Sequence, residues 1–242
     1  MNHPNRTPQF KHRTLGVLGG MGPAATSDFL GKLIQATPAV RDEDHIPTIV
    51  CSLPQIPSRS AALLEGGPSP LPKMVQVLSL LESCHAEFVA IPCNTAHYWY
   101  EELQTATSLP IVHIVDAVLT AVQARGIARG GLGLIATTAT VSTGVYADRL
   151  DRLGFECLVP VAEEQSNVMR VIQEIKAGRV SAEGDTKVRK IIHHLMERGA
   201  GAVILGNSEL PLALKNLPCC CVDATEALAL ACVEYSQRAH GD

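Results

Sequence analysis

Leu15-Gly16-Val17-Leu18-Gly19-Gly20-Met21-Gly22-Pro23-Ala24-Ala25 and, further on, Leu132-Gly133-Leu134-Ile135 begin two stretches of chain that follow the same plan. Each opens with a short apolar run of the kind that forms a buried strand, and the first passes through a glycine turn into a helix start. Aligned on those runs, Thr26 falls on Thr143, Lys32 on Arg149 and Leu33 on Leu150. Val89-Ala90-Ile91-Pro92-Cys93-Asn94-Thr95 then matches Val203-Ile204-Leu205-Gly206-Asn207-Ser208-Glu209 at nearly the same distance along each half. Both halves continue to a Leu-Pro (Leu109-Pro110, Leu217-Pro218), a short apolar strand and an Asp-Ala pair (Asp116-Ala117, Asp223-Ala224). Matches that recur in the same order mark an internal duplication.

Apolar runs alternate with amphipathic segments along the whole chain, the pattern of a parallel α/β sheet covered on both faces. Strands are expected at Leu15 to Leu18, Thr48 to Leu53, Phe88 to Ile91, Ile111 to Val115, Leu132 to Ala136 and Ala202 to Leu205. Cys219-Cys220-Cys221-Val222 reads as a further buried strand. Helices are expected from Ala24 to Gln35, Pro72 to Glu82, Thr95 to Thr107, Val115 to Arg125, Val141 to Leu153, Gln165 to Ala177, Thr186 to Arg198 and Thr225 to Gln237. Two similar halves facing each other bring equivalent strand-end loops to one cleft, the usual place for a ligand in open parallel sheets.

The 242 residues suffice for one or two domains with a full core. Hydrophobic residues are 46% and aromatic residues 4%, so that core is aliphatic. A net charge of −4 gives no electrostatic footprint for nucleic acid. No apolar run reaches the roughly 18–20 residues needed to span a bilayer. Met1 to Arg13 lacks the apolar segment of a secretory signal and reads as a frayed tail, so a cytoplasmic location is expected. The cysteines contain no C-x-x-C spacing, and Cys219, Cys220 and Cys221 would point to alternate faces of a strand, which cannot assemble a zinc site.

Cys93 is the outstanding candidate for a nucleophile or acid/base group: it follows a strand and precedes a helix start, where unpaired N–H groups favour a thiolate. The alternative is a small buried thiol. Asn94 and Thr95 suit either a helix cap or a ligand. The Gly20-Met21-Gly22 loop can receive an anion, or serve as a tight turn; it also fits the loose G-x-G-x-x-A dinucleotide pattern, without the acidic residue expected at the end of the second strand. Arg59, on a loop stiffened by Pro54 and Pro57, could pair with a carboxylate, and Lys176 could do so or cap its own helix. His97 lies one turn beyond Cys93 and reads mainly as a packing residue, whereas His193-His194 point too far apart on a helix to share a metal.

Gly19-Gly20-Met21-Gly22-Pro23-Ala24-Ala25-Thr26, Pro54-Gln55-Ile56-Pro57-Ser58-Arg59, Pro92-Cys93-Asn94-Thr95-Ala96-His97 and Ala136-Thr137-Thr138-Ala139-Thr140 together resemble the aspartate/glutamate racemases that work without pyridoxal phosphate. The likeness runs from about Leu15 to Ala229. It implies two parallel-sheet α/β domains related by pseudo-twofold symmetry, with the active site between them. The corresponding division is a tail at residues 1–13, a first domain at 14–108 plus 222–242, and a second at 109–221. It further implies a small dicarboxylic amino-acid substrate, no cofactor or metal, and a homodimer.

In that family two cysteines flank the substrate α-carbon, one removing a proton and the other delivering one to the opposite face. Cys93 matches the first. The second belongs to a Gly-Cys-Thr-Glu motif that here reads Gly206-Asn207-Ser208-Glu209, a position the duplication locates independently. By the same resemblance Arg59, Asn94, Thr95, Thr137 and Lys176 match substrate contacts, and Met21, Gly22 and Ser208 complete the expected binding set. An asparagine amide neither takes nor gives a proton near neutral pH. Four outcomes are open: one-sided exchange at Cys93; a second proton from Ser208, Glu209 or Lys176; a single-cysteine chemistry resembling the arylmalonate decarboxylases; or a non-catalytic binder of acidic amino acids or dicarboxylates.

Overall fold

The computed structural model describes residues 12–127, 129–179, 181–214, 218 and 220–238. Two four-stranded parallel sheets organise it. The first contains β1 (Leu15–Gly19), β2 (Thr48–Ser52), β3 (Phe88–Ala90) and β4 (Ile111–Val112), in the order β2-β1-β3-β4. The second contains β5 (Gly130–Ala136), β6 (Phe155–Leu158), β7 (Ala200–Gly206) and β8 (Cys221–Asp223), in the order β6-β5-β7-β8. The same order twice is the architectural form of the duplication.

The first sheet carries α1 (Pro23–Ala36), α2 (Arg59–Leu64), α3 (Leu71–Ser83), α4 (Tyr100–Thr105) and α5 (Ile114–Ala124). The second carries α6 (Thr138–Ser142), α7 (Ala147–Arg152), α8 (Ala162–Lys176), α9 (Ala182–Glu197), α10 (Leu210–Ala213) and α11 (Ala224–Ser236). Strand side chains alternate between faces, and both faces are apolar. Leu15, Val17, Leu132, Leu134 and Ile204 turn inward, where they share one continuous core with Val118 of α5 and Leu228 of α11. Leu18 and Val89 turn outward under α3, while Ile135, Val203 and Leu205 turn outward under α8 and α9. No helix among the described residues is long and apolar enough to cross a membrane.

Helix α11 closes the chain on the opposite half, packing against α1 and α5. Two ion pairs cross the same seam. Lys32 of α1 reaches Asp223 at the end of β8 (2.6 Å) as well as Asp28 (2.5 Å), and Arg149 of α7 reaches Asp116 of α5 (3.4 Å). Lys32 and Arg149 are the positions that the duplication equates, but the expected match of Asp116 with Asp223 shifts by three residues: strand register sets Asp223 against His113, each capping the helix that follows.

Several boundaries differ from expectation for identifiable reasons. The strand expected to run to Val115 ends at Val112, because the His113 side chain accepts the Val115 N–H (3.1 Å) and caps α5. Since β4 pairs with β3, the first sheet extends past the crossover expected at Leu109; β8 pairs with β7, so the return to the first half starts at α11 rather than at residue 222. The helix expected from Thr95 begins instead as a 3₁₀ segment, Asn94–Trp99, before α4. The one expected from Val141 to Leu153 is broken into α6 and α7 at Gly144, whose φ of +71° is left-handed. Strand β6 and helices α2 and α10 were not foreseen.

Of the expected tail, Met1 to Lys11 lie outside the described residues, whereas His12 is buried and the Arg13 N–H donates to the Ser236 carbonyl (3.0 Å). Cys219 also lies outside them, and the seven described cysteines are free thiols.

Candidate active site

The ends of β1, β3, β5 and β7 converge on one cleft. Met21, Arg59, Cys93, Asn94, Thr95, Thr137, Lys176, Asn207 and Ser208 all line it. Gly22 sits beside the wall, where a Cβ would come within 4.0 Å of Glu209 Oε1. Ser58, Ser60, Gly206 and Glu209 line the cleft too. Of these, sequence reasoning had weighed Glu209 only as a substitute proton donor, and the serines not at all; the seryl pair flanking Arg59 was their only signal.

The glycine loop is bound into the protein. Gly20 takes a φ of +87°, and a Cβ there would lie 2.4 Å from the Leu53 nitrogen. Its N–H donates to Thr26 Oγ1 (2.8 Å), and that hydroxyl donates to the Gly22 carbonyl (3.1 Å). The Gly20 N–H is therefore spent inside the protein rather than offered to a phosphate. Arg59 is the first residue of α2 rather than part of an open loop, because Ser58 caps that helix through the Ala61 N–H (3.2 Å). Its Nη1 donates to the Ile56 and Pro57 carbonyls (3.3 and 3.0 Å), which anchors the guanidinium at the cleft edge.

Cys93 is buried and extended (φ −148°, ψ 106°), at the start of the 3₁₀ segment. Its carbonyl faces His97 Nδ1 (3.0 Å), while His97 Nε2 accepts the Ile114 N–H (3.2 Å). Because Nε2 is an acceptor, the neutral ring carries its proton on Nδ1 and donates it to the Cys93 carbonyl. Burial pushes the His97 pKa down to about 4. His97 thus braces the turn that holds Cys93, in keeping with a packing role. Neighbouring His113 has both ring nitrogens facing donors, the Val115 N–H and Arg149 Nε (3.1 Å each), and burial, His97 and Arg149 all drive its pKa down.

Asn94 is fixed from the other half of the protein. The Tyr146 hydroxyl donates to Asn94 Oδ1 (2.5 Å), and burial holds that phenol neutral by raising its pKa. The amide orientation follows, leaving Asn94 Nδ2 buried with no partner among the described residues. A buried donor without an acceptor is costly, and this one belongs to a residue that lines the cleft. Tyr146 carries no sequence signal for this role.

Thr95, Thr137 and Thr140 close a ring of hydroxyls across the two sheets: Thr95–Thr140 2.8 Å, Thr137–Thr140 2.9 Å and Thr95–Thr137 3.3 Å. Opposite Cys93, Asn207 uses its Oδ1 to accept the N–H groups of Glu209 (3.1 Å) and Leu210 (3.3 Å), capping the turn into α10. The Glu209 carboxylate is buried beside Lys176 Nζ at 3.4 Å, with side-chain exposures of 9% and 54%. The cleft therefore combines a thiol, two cations, one unpaired amide donor and one buried carboxylate. Among the described residues no cluster of three His, Cys, Asp or Glu side chains is placed to hold a metal.

Residues 18–232 match the family model described as Asp/Glu/Hydantoin racemase. The broad specificity amino-acid racemase RacX of Bacillus subtilis is 32% identical over 118 residues, 43% of this chain and 47% of RacX, so that match spans about half the relative's length. The aspartate racemase of Picrophilus torridus has a similar structure, with a TM-score of 0.80 at 28% identity, covering 93% of this chain and 94% of that one. An aspartate racemase homologue from Pyrococcus horikoshii gives a TM-score of 0.75 at 26% identity, covering 93% of this chain and 100% of that one.

Proposed function

From the premise that the chain belongs to the Asp/Glu/hydantoin racemase family, we propose that it is a cofactor-independent amino-acid isomerase acting at the α-carbon of aspartate or glutamate, with Cys93 as its thiol acid/base. The observation that carries this is the convergence on one cleft of Cys93 with Arg59, Lys176 and the unpaired Asn94 Nδ2. Two cations suit the two carboxylates of an acidic amino acid, and an amide donor can orient one of them. A carboxylate held this way accepts the charge that builds up when the α-proton leaves, which is the electrostatic help the reaction needs. The thiol then removes or delivers the proton on one face. A small dicarboxylic amino acid as partner, a homodimeric assembly and a cytoplasmic setting belong to the same reading.

The test is α-hydrogen exchange in D₂O, without pyridoxal phosphate, with each enantiomer of aspartate and glutamate supplied separately. Proton NMR follows loss of the α-hydrogen, and chiral chromatography follows configuration. Loss, on Cys93→Ala, of the exchange of at least one enantiomer and of all inversion is the expected result; exchange indifferent to that substitution would sink the proposal.

A second reading has one observation in its favour. Asn207 occupies the place of the second cysteine and its Oδ1 serves as a structural cap, as it would in a non-catalytic binder of acidic amino acids. That reading requires tight binding with no exchange from any of the four substrates, and affinity unchanged by Cys93→Ala.

A further inference from the structure

We infer that Glu209 is the proton-transfer group for the substrate face opposite Cys93, replacing the thiol that Asn207 lacks; this rests on the reading of Cys93 as a thiol acid/base. The wall after β7 offers Gly206, Asn207, Ser208 and Glu209. Asn207 has no titratable proton, and its Oδ1 is occupied by two backbone N–H groups. A serine hydroxyl needs an adjacent base to act, and no base is hydrogen-bonded to Ser208 among the described residues. Lys176 comes from the last turn of α8 and is more than half exposed, a position suited to meeting a carboxylate rather than to holding one proton in register.

Glu209 differs on each count. Its side chain is buried against the cleft, and its carboxylate has a single charged neighbour at 3.4 Å. It makes no side-chain hydrogen bond among the described residues. Burying a carboxylate so sparsely partnered is expensive, and the expense is explained where the group has work to do in the cleft. Asn207 itself fixes the position, because the N–H it accepts is that of Glu209. The residue standing in place of the thiol thereby aims the carboxylate that takes over its task.

The proton balance closes on the residues present. In one direction a Glu209 oxygen takes the α-hydrogen: the Cα–H bond breaks and an O–H bond forms. The electron pair left on Cα is delocalised into the substrate's own α-carboxylate. The Cys93 S–H bond then breaks, its proton forms the new Cα–H bond on the other face, and a thiolate remains. The opposite enantiomer runs these steps backwards from thiolate and protonated Glu209. Exchange with solvent interconverts the two protonation forms.

The test is the D₂O exchange experiment run on wild type, Glu209→Gln and Cys93→Ala. Wild type is expected to exchange with inversion. Glu209→Gln is expected to lose inversion by about 10²–10⁴-fold while still exchanging, with retention, the enantiomer whose α-hydrogen faces Cys93. Cys93→Ala should exchange only the other enantiomer. Glu209→Gln inverting within about tenfold of wild type, or both variants exchanging the same enantiomer, overturns the assignment and leaves Cys93 standing. Absence of any wild-type exchange overturns both. Should Glu209→Gln fail to fold, Glu209→Asp carries the test: slowed inversion with the Cys93-side exchange intact supports the role, and equal loss on both faces refutes it.

Discussion

Replacing Tyr146 with Phe removes one oxygen and tests how the two halves hold the site together. That hydroxyl is fully buried and donates to Asn94 Oδ1 at 2.5 Å, across a sequence separation of 52 residues. The phenylalanine ring keeps the packing, so the loss is that of a donor opposite a buried carbonyl, worth about 1–3 kcal/mol. For a chain of this length each kcal/mol lowers the melting temperature by about 2–4 °C, so a loss near 2 kcal/mol gives about 4–8 °C. Function should suffer as well. With Nδ2 already unpartnered, loss of the Tyr146 bond leaves the amide free to turn over, and aspartate affinity should fall by about fivefold, or 1 kcal/mol. Thermal and urea unfolding of wild type, Tyr146→Phe, Asn94→Leu and the double variant complete a cycle whose coupling should be about 0.5–3 kcal/mol. A Tyr146→Phe protein melting within about 1 °C of wild type, or a coupling near zero, would refute the reasoning.

Asn207→Cys should cost about 1 kcal/mol in urea unfolding, since sulfur is a poor acceptor for the two N–H groups now capped, yet it should restore inversion to Glu209→Gln; a gain in stability would contradict the capping role. His97 stays neutral in the native state down to about pH 4, whereas the unfolded chain protonates near 6.5. Its stabilisation is therefore complete above pH 6.5 and declines by about 3 kcal/mol as pH falls to 4, with depressed His113 acting in the same direction. Urea unfolding of His97→Gln at about pH 7 and 4.5 should show a smaller loss than wild type, and an unchanged loss would argue against a neutral buried ring. The two seam ion pairs should respond unequally. Lys32→Met strands Asp223, only 4% exposed, and should cost about 3–5 kcal/mol. Asp116→Ala, at a residue 57% exposed, should cost under about 1 kcal/mol, and equal losses in denaturant would refute the contrast.

The sheet architecture was legible because fully covered strands leave short apolar runs that little else in the chain imitates, and because two copies of the plan support one another. Edge strand β6, with Glu156 exposed in its middle, breaks that signature and was missed. The cleft was legible for the same reason as the strands, since ligand positions follow strand ends, and Cys93, Thr95, Thr137 and Asn207 all lie there. Helix interruptions were not. The 3₁₀ turn after Cys93 is accompanied by His97 bonds to a carbonyl four residues back and an N–H seventeen residues ahead, and the second of these lies beyond any local window. Tyr146 was hidden likewise, since nothing near it in sequence announces a partner in the other half. At Asn207 the duplication exposed the absence of a thiol, but the cap depends on where one carbonyl oxygen points, which composition does not encode.

The crossed ion pairs on the seam carry a lesson about divergence after duplication. Lys32 in one copy meets the Asp223 that caps the crossover helix of the other, whereas Arg149 meets both the capping His113 (3.1 Å) and Asp116 inside the first turn of that helix. Loss of Lys32 strands a buried carboxylate, whereas loss of Arg149 leaves a half-exposed one, so equivalent positions in the two copies carry unequal constraint. In the cleft the equivalent positions Cys93 and Asn207 differ outright, a buried thiol in one copy and a turn-capping amide in the other. The duplicated plan therefore survives in the backbone, in strand order and helix starts, while side chains at equivalent positions have gone separate ways at the seam and in the cleft alike.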